Sequence, residues 1–592
     1  MAVPSAAVDP WRLEIPPCPP AATAALRREL GVSDALAQAL VRRGLGEPER
    51  ARAFLDADEE HDPDAFAGIS EAVASIARHL DERRRITVHG DYDADGVCST
   101  AVLVTALRRL GADVDWYLPD RAGDGYGLNG ATVRRLAARG TSLLVSVDCG
   151  IGAVEEVETA LALGLEVVIT DHHSPRTDGR LPRAPVVHPA VCGYPCRELC
   201  ATAVAHKLAQ ALYRARGRDP RELEAELELV ALATVADVVP LVGENRTLTV
   251  RGLRRLESTT RPGLRALMAT ARVAPGRAGE RAVAFALAPR LNAAGRLYRA
   301  DAALELLLTE DAVRAEQVAH ELDCANRERR EIERGIRHQA EAQMAELGEQ
   351  EAYVLASEGW HPGVIGIVAS RLVERSGRPV VMVALEGEDG RASGRSIDAF
   401  DLLGGLQACS KHLRRFGGHR VAAGMEIGRE QLPAFSTALC RHAREVLAPA
   451  DLCPVERVDA VVEVARVDMG LAEELESLAP FGRGNPRVTL LVEGASFAGT
   501  RPMGEGRHVR TNLSSGAAST QAVAFGCDGR LPVADGEPVQ ATFTLEINEW
   551  NGVCEPRLVL RRARPAEGPV ALAPPRRSGR REGQQELALF AV

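Results

Sequence analysis

A histidine and three carboxylates stand at alternate positions in His89-Gly90-Asp91-Tyr92-Asp93-Ala94-Asp95-Gly96. At neutral pH such a cluster repels itself and is costly unless a cation compensates it. Two later apolar runs end in similar chemistry: Leu143–Val147 leads into Asp148-Cys149-Gly150, and Leu165–Thr170 into Asp171-His172-His173. A further acid, Asp237, interrupts the apolar stretch Val235-Ala236-Asp237-Val238-Val239. Taken singly, each acid is an ordinary turn or cap residue. Three successive endings of this kind are hard to assign to solvated loops, and together they read as a dinuclear metal site. Carboxylate and imidazole donors without thiolate suit manganese or magnesium better than structural zinc. Two such ions about 3.5–4 Å apart activate a water and stabilise the leaving oxygen of a phosphate ester. Hydrolysis of a phosphate bond is therefore the expected reaction, and no Walker loop or dinucleotide fingerprint competes with it.

Those residues need elements to gather them. From Arg85 to about Thr260, apolar runs alternate with amphipathic stretches. Ile86–Val88, Leu143–Val147, Leu165–Thr170 and Pro185–Val187 read as strands buried on both faces, with helices over Val97–Leu110 and Ala153–Leu163 closed by Gly111 and Gly164. This alternation predicts a parallel α/β sheet, whose binding groups collect outside the carboxyl ends of its strands. Residues 310–347 are highly charged, with no proline and the single glycine Gly335; as a helix they would run on the order of 55 Å and hold two domains apart. A second α/β unit follows, with strand Tyr353–Ala356, helix Val364–Arg375 and strand Pro379–Ala384. From Val458 to Arg564 short alternating segments and the hairpin signal Asn551-Gly552 predict a small β-barrel of oligonucleotide-binding type.

The expected fold class is thus α/β: two α/β domains joined by a long helix and followed by an OB-like β-barrel. The expected organisation is a helical arm (1–60), the metal-bearing domain (61–309), the connecting helix (310–349), a substrate-binding α/β domain (350–450), the barrel (451–564) and a disordered tail (565–592). A chain of 592 residues exceeds one hydrophobic core, which agrees with several domains. No run approaches the roughly 20 uncharged apolar residues of a membrane span, and the amino terminus lacks signal-peptide character, so a cytoplasmic protein is expected. Twelve cysteines in a chain of this length are not a disulfide framework. The spacing of Cys192, Cys196 and Cys200 is read as apolar packing. The net charge of −10 governs solubility rather than the content of a local groove. Lys207 and Lys411 are the only lysines, so the basic character is arginine, suited to bidentate phosphate binding.

His89-x-x-x-Asp93-x-Asp95, Asp148, Asp171-His172-His173 and Asp237 resemble the four motifs of the DHH phosphoesterase superfamily. Leu291-Asn292-Ala293-Ala294-Gly295-Arg296, Trp360-His361-Pro362-Gly363-Val364-Ile365-Gly366, Ser393-Gly394-Arg395-Ser396, Phe416-Gly417-Gly418-His419 and Ala479-Pro480-Phe481-Gly482-Arg483-Gly484-Asn485-Pro486 resemble its RecJ exonuclease family, in order and from the amino-terminal arm to about residue 564. The two α/β domains would then be the DHH and DHH-associated domains. The resemblance implies His89, Asp93, Asp95, Asp148, His172 and Asp237 as ligands of two Mn2+ or Mg2+ ions. It makes His173 a ligand or phosphate contact oriented by Asp171, with Asp91 a further participant. It also implies that Ser393, Arg395 and Arg121 hold a 5′-terminal phosphate, with His419 and Arg296 near the scissile one. The loop Gly417-Gly418 would let backbone N–H groups approach the anion. The chain departs from the pattern at Tyr298-Arg299 and at Cys200-Ala201-Thr202-Ala203, neither expected to touch a ligand.

What this implies is a metal-dependent exonuclease digesting single-stranded DNA from the 5′ end in repair and recombination, a monomer assisted by single-strand-binding protein and a helicase. A narrow passage between the α/β domains, closed by the barrel, would exclude duplex. In the barrel, Phe481, Phe497, Arg510 and Trp550 are candidates for stacking and backbone contact. Leu587, Leu589 and Phe590 resemble the short peptides that dock sliding clamps. Two alternatives stand beside this: a DHH phosphodiesterase acting on short oligonucleotides or cyclic dinucleotides, and a non-catalytic DNA-binding replication scaffold. The latter predicts eroded ligand positions, and here each is filled by a competent residue.

Overall fold

Strands with no polar face must be covered on both sides, and the computed structural model arranges them so. It describes residues 11–121, 123–176, 178–550 and 552–566, which form two compact units. The first unit comprises residues 59–447 with 482–484. Its amino-terminal sheet has β1 (Ile86–His89), β2 (Val114–Tyr117), β3 (Leu143–Val147), β4 (Glu166–Thr170) and β5 (Val186–Val187) in the order β2-β1-β3-β4-β5, all parallel. β1 and β3 are buried throughout. The sequence reading missed β2, whose four residues Val-Asp-Trp-Tyr alternate in burial at the sheet edge.

Helix α1 (Ala94–Arg109) follows β1, capped by the Asp93 side chain. It packs against α2 (Ala201–Ala215), both almost wholly buried. Lys207 on α2 is fully buried and paired with the equally buried Glu244 at 2.7 Å. Such a pair is tolerated in an interior only because each charge compensates the other. Cys192 and Cys200 are buried and Cys196 partly so, and all twelve cysteines are free thiols. Helix α3 (Ala288–Leu297) returns the chain to the carboxyl edge of the sheet.

The long helix α4 (Ala312–Leu347) has 36 residues and is capped by Asp311. Its buried residues, among them Leu322, Asn326, Arg329, Glu333, Ile336 and Ala340, recur at three- and four-residue spacing, so one flank is covered by protein along most of its length. The second sheet contains β6 (Tyr353–Glu358), β7 (Val380–Glu386), β8 (Asp389–Arg395), β9 (Arg415–Gly418) and β10 (Ala422–Gly428) in the order β9-β10-β8-β7-β6. Only β6 and β7 are parallel; the other neighbours are antiparallel. Helix α5 (Ile365–Ser376) crosses from β6 to β7.

The second unit contains the amino-terminal helices Pro20–Leu30, Asp34–Arg42 and Pro48–Asp56 and the carboxyl-terminal barrel. Leu26, Leu36 and Leu40 share one core with Leu471, Phe497, Leu513 and Phe543. Strand Arg12–Glu14 pairs in parallel with Val455–Arg457, so the helical arm folds onto the barrel. Five strands close the barrel: Leu490–Met503 pairs with His508–Ser515 and with Pro538–Trp550, and Ala518–Ala524 runs parallel to Val553–Pro565. Trp550 pairs with Val553 across a two-residue connection. Two aromatic candidates prove to be interior: Phe497 is fully buried, and Phe481 is 9% exposed with Arg487 over its ring. A core ring has no free face for a base. An aromatic that the barrel does expose is Phe525, 52% exposed and edge-on to His508. Arg510 is exposed; the Trp550 side chain and Leu587, Leu589 and Phe590 lie outside the described residues.

Candidate metal centre

The site forms where β1, β3 and β4 end. His89, the last residue of β1, is completely buried; its Nε2 has no hydrogen-bond partner, and Cys149 Sγ lies 3.7 Å from its Nδ1. Burial pushes its pKa down to about 4, so it is a neutral donor. The turn after β1 is drawn tightly onto α1: a Cβ on Gly96 would fall 2.6 Å from the Asp91 backbone nitrogen. Asp93 accepts from the Asp95 and Gly96 N–H groups through a single oxygen, Oδ1. Asp95 is held by the amino-terminal end of α2, accepting from Ala201 N (2.8 Å), Thr202 N (2.8 Å) and Thr202 Oγ1 (2.6 Å). The stretch Cys200–Ala203 therefore does touch a proposed ligand, contrary to the sequence expectation. Its contacts are two backbone N–H groups and a hydroxyl, which sequence pattern does not display.

Asp148 follows β3 in a left-handed conformation (φ 62°), 1% exposed. Such a backbone is costly for a residue with a Cβ and persists where the surroundings impose it. Its Oδ1 lies 3.2 Å from His172 Nε2 and 3.7 Å from His173 Nδ1, yet neither Asp148 Oδ1 nor His172 Nε2 has a hydrogen-bond partner of acceptable geometry. His172 Nε2 is also 3.7 Å from Asp95 and 3.8 Å from Asp237, which caps the carboxyl end of helix Leu227–Ala236. Three sets of donor atoms each lie within 4.8 Å of one another: Asp148, His172 and His173; Asp95, His172 and Asp237; Asp91, Asp93 and Asp148.

Burial, and then the neighbouring carboxylates, push Asp91, Asp148 and Asp237 well above the usual carboxylate range. Burial also lowers His172. Buried like charges at this spacing are compensated by a cation or remain partly protonated. Four orphaned buried atoms of the site, His89 Nε2, Asp91 Oδ1, Asp148 Oδ1 and His172 Nε2, can each present a lone pair to a cation. Hard oxygen and imidazole donors of this kind fit Mn2+ or Mg2+.

Asp171 organises the histidines instead of joining the donor sets. Its Oδ1 accepts from His172 N, His173 N and His173 Nδ1 at 2.7–3.1 Å, and its Oδ2 from Ile151 N. Burial alone would lower the pKa of His173, but its bond to Asp171 and the charges of Asp171, Asp237 and Asp93 raise it to about 9. A residue that sequence reasoning missed completes this corner: the Tyr126 hydroxyl lies 3.1 Å from Asp148 O and 3.0 Å from His173 Nδ1. Its available signal was an aromatic between two glycines, Gly125-Tyr126-Gly127.

Opposite the acids stand arginines. Arg296, on α3, has its pKa pushed down to about 9 by burial and then by Arg121 and Arg329. Arg395 is pushed to about 10 by burial and Arg121, and donates to Ser393 Oγ and Gly394 O. Arg121 lies over the Tyr92 ring at 4.2 Å, with its Nε buried and unpartnered. Arg329, from the buried flank of α4, joins this group and was not anticipated. Burial and neighbouring guanidinium groups disfavour the charge of Arg296, Arg395 and Arg329, which makes the site suited to an anion. The floor is tight: a Cβ on Gly295 would meet Tyr92 O at 2.1 Å, and one on Gly366 would meet Ser393 Oγ at 2.9 Å.

Gly417 and Gly418 do not form the expected loop. They end β9, paired with Gly424 and Ala423, so their backbone belongs to a ladder. His419 is exposed beyond them, and its pKa is lowered by desolvation of the ring and then by the charge of His173. Tyr298 and Arg299 turn elsewhere, to Glu328 and Asp301.

The sequence profile of the DHH family, N-terminal domain, matches residues 85–234, that of the DHHA1 domain residues 349–445, and that of the RecJ OB domain residues 458–562. The chain is 40% identical over 553 residues to the single-stranded-DNA-specific exonuclease RecJ of Bacillus subtilis (strain 168), covering 92% of this chain and 69% of that protein. It is 35% identical to the Escherichia coli (strain K12) protein of the same name, covering 82% and 88%. The crystal structure of RecJ in complex with Mn2+ from Thermus thermophilus superimposes with a TM-score of 0.83 at 33% identity, covering 94% of this chain and 80% of that one. The Mg2+ complex from the same source gives 0.78 at 31% identity, covering 94% and 79%. With all three domain profiles in order, and identities of this size over most of its length, the chain belongs to the RecJ family.

Proposed function

We propose that the protein is a metal-dependent exonuclease that hydrolyses single-stranded DNA from the 5′ end. The observation that carries this reading is the juxtaposition of orphaned buried acid and imidazole donors with a cluster of buried and partly buried arginines. His89, Asp93, Asp95, Asp148, His172 and Asp237 hold two Mn2+ or Mg2+ ions, and Asp91 supports them. When bound, such a pair activates water and offsets charge on the phosphate oxygens.

The chain's own residues do the remaining work. Arg121 and Arg395, with Ser393, hold the terminal 5′-phosphate by charge-assisted hydrogen bonds. Arg296 offsets the negative charge growing on the scissile phosphate. His173, kept cationic by Asp171, donates a hydrogen bond there, with His419 beside it. The cleft between the two α/β sheets admits one strand and excludes a duplex, giving selection by shape rather than base readout. The protein acts in the cytoplasm as a monomer, in repair and recombination. Single-strand-binding protein, a helicase and the sliding clamp are its partners, the clamp through Leu587, Leu589 and Phe590.

The test is digestion of single-stranded DNA labelled at either end, with manganese or EDTA, beside a blunt duplex. Early release of short 5′-labelled products, only with metal and only from single strands, supports the proposal. Cleavage confined to dinucleotides overturns the substrate, and binding without cleavage overturns the activity.

A further inference from the structure

Away from the metal centre, a groove of about 540 Å³ runs along α4, lined by Arg327, Arg330, Arg334 and Arg337, by Arg371 of α5, and by Glu331 and Glu333. The four helical arginines recur at spacings of three, four and three residues, which places them on one flank over about 15 Å. A solvated helix normally dilutes such a stripe with acids one turn away. Two of the four follow that rule: Arg327 pairs with Asp323 at 3.1 Å, and Arg337 lies 3.9 Å from Glu341. Glu333 is already engaged by Arg329 at 3.0 Å and Arg371 at 2.8 Å. Arg330 and Arg334 have no carboxylate within 4 Å among the described residues; Arg334 donates to the Arg330 carbonyl, at 3.3 Å.

Like charges one turn apart destabilise a helix, so folding gives no reason for this row. The groove is a positive feature on a chain whose net charge is −10, and a local field of that sign selects anions irrespective of the total. Its length suits a succession of phosphates rather than one, and guanidinium forks match phosphate oxygens. The other flank of α4 delivers Arg329 to the arginine group of the cleft, so one helix borders both features. We propose that this groove is a second binding track for the phosphate backbone of a nucleic-acid strand, separate from the metal centre. This rests on the nucleic-acid substrate proposed above.

The experiment measures binding of a long labelled oligothymidylate to the full chain in EDTA, where cleavage is blocked, across a salt series. The R330Q/R334Q variant is expected to bind more weakly, with the slope of log affinity against log salt shallower by about 1.4, or 0.7 for each lost phosphate contact. R330K/R334K should restore the slope, because counterion release counts charge. Arg314, on the same helix but outside the groove and paired with Glu305, serves as the control; R314Q should leave the slope unchanged. Wild type that cleaves and binds DNA, with an unaltered slope in R330Q/R334Q, overturns the groove alone. Equal losses in R314Q also overturn it. Wild type that does not bind the oligonucleotide overturns both the groove and the exonuclease reading.

Discussion

At the scale of single residues, the site depends on groups that burial would expel unless they have a partner. Asp148 is the most constrained, buried, left-handed and close to both histidines of the Asp-His-His run. Asp148→Ala is expected to lower hydrolysis by about 10³-fold, from the several kcal/mol of charge stabilisation that a bound metal contributes. Binding of single-stranded DNA should persist, and gel shift beside a cleavage assay checks both; retained hydrolysis would contradict the assigned centre. Tyr126→Phe removes one hydroxyl between Asp148 O and His173 Nδ1. A roughly 3- to 10-fold fall in kcat follows from the loss of one hydrogen bond, with KM little changed; an unaltered kcat would leave Tyr126 a bystander.

At the scale of elements, close approach decides the geometry. Asn292 Oδ1 accepts from Ala94 N at 2.8 Å, tying α3 to the start of α1, and Gly295 lies where a Cβ would collide with the Tyr92 carbonyl. Gly295→Ala should cost about 1–3 kcal/mol of stability, as overpacking does, and should impair activity further by moving Arg296. Thermal melts and steady-state rates test the two effects separately.

Helix α2 carries a different liability in His206, buried with Nδ1 unpartnered and Nε2 3.3 Å from Leu223 O. Burial, then the charge of Lys207, lowers its pKa to about 4 from 6.5, with Arg251 lowering and Glu224 raising it. The unfolded chain therefore takes up a proton that the folded chain refuses. Stability from this group is complete above pH 6.5 and is lost as pH falls from 6.5 to about 4, by roughly 3 kcal/mol. Urea midpoints of the wild type should fall across that window more than those of His206→Leu, and parallel curves would refute the assignment.

At the scale of the whole molecule, metal and fold are linked. Acids from β1, β3 and the helix before Asp237 converge only in the folded chain, so a bound cation stabilises that state alone. Manganese at about 100 times its dissociation constant should add roughly 2.7 kcal/mol to stability. Asp148→Ala should lose most of that gain, and EDTA should abolish hydrolysis until manganese or magnesium is restored. Calorimetry with and without metal measures the first, and the labelled-strand assay the second. A melting curve indifferent to manganese would argue against the centre.

Much of this was legible in the order of residues, because strands buried on both faces must be apolar and must end where polarity returns. That rule located β1, β3 and β4 and the acids at their carboxyl ends, and helical periodicity without proline located α4. The edge strand β2 escaped, since its half-exposed residues lack a continuous apolar run. Tertiary structure alone decided the rest. Backbone amides and a threonine hydroxyl at the start of α2 hold Asp95, and no side-chain pattern announces them. Arg329 reaches the cleft because a helix so rich in charged residues nonetheless has one flank buried. Gly417 and Gly418 entered a ladder because β10 lay beside them, and the amino-terminal helices joined the barrel's core across more than 400 residues of sequence. Local sequence specifies which groups can do chemistry; contacts between distant segments determine which of them meet.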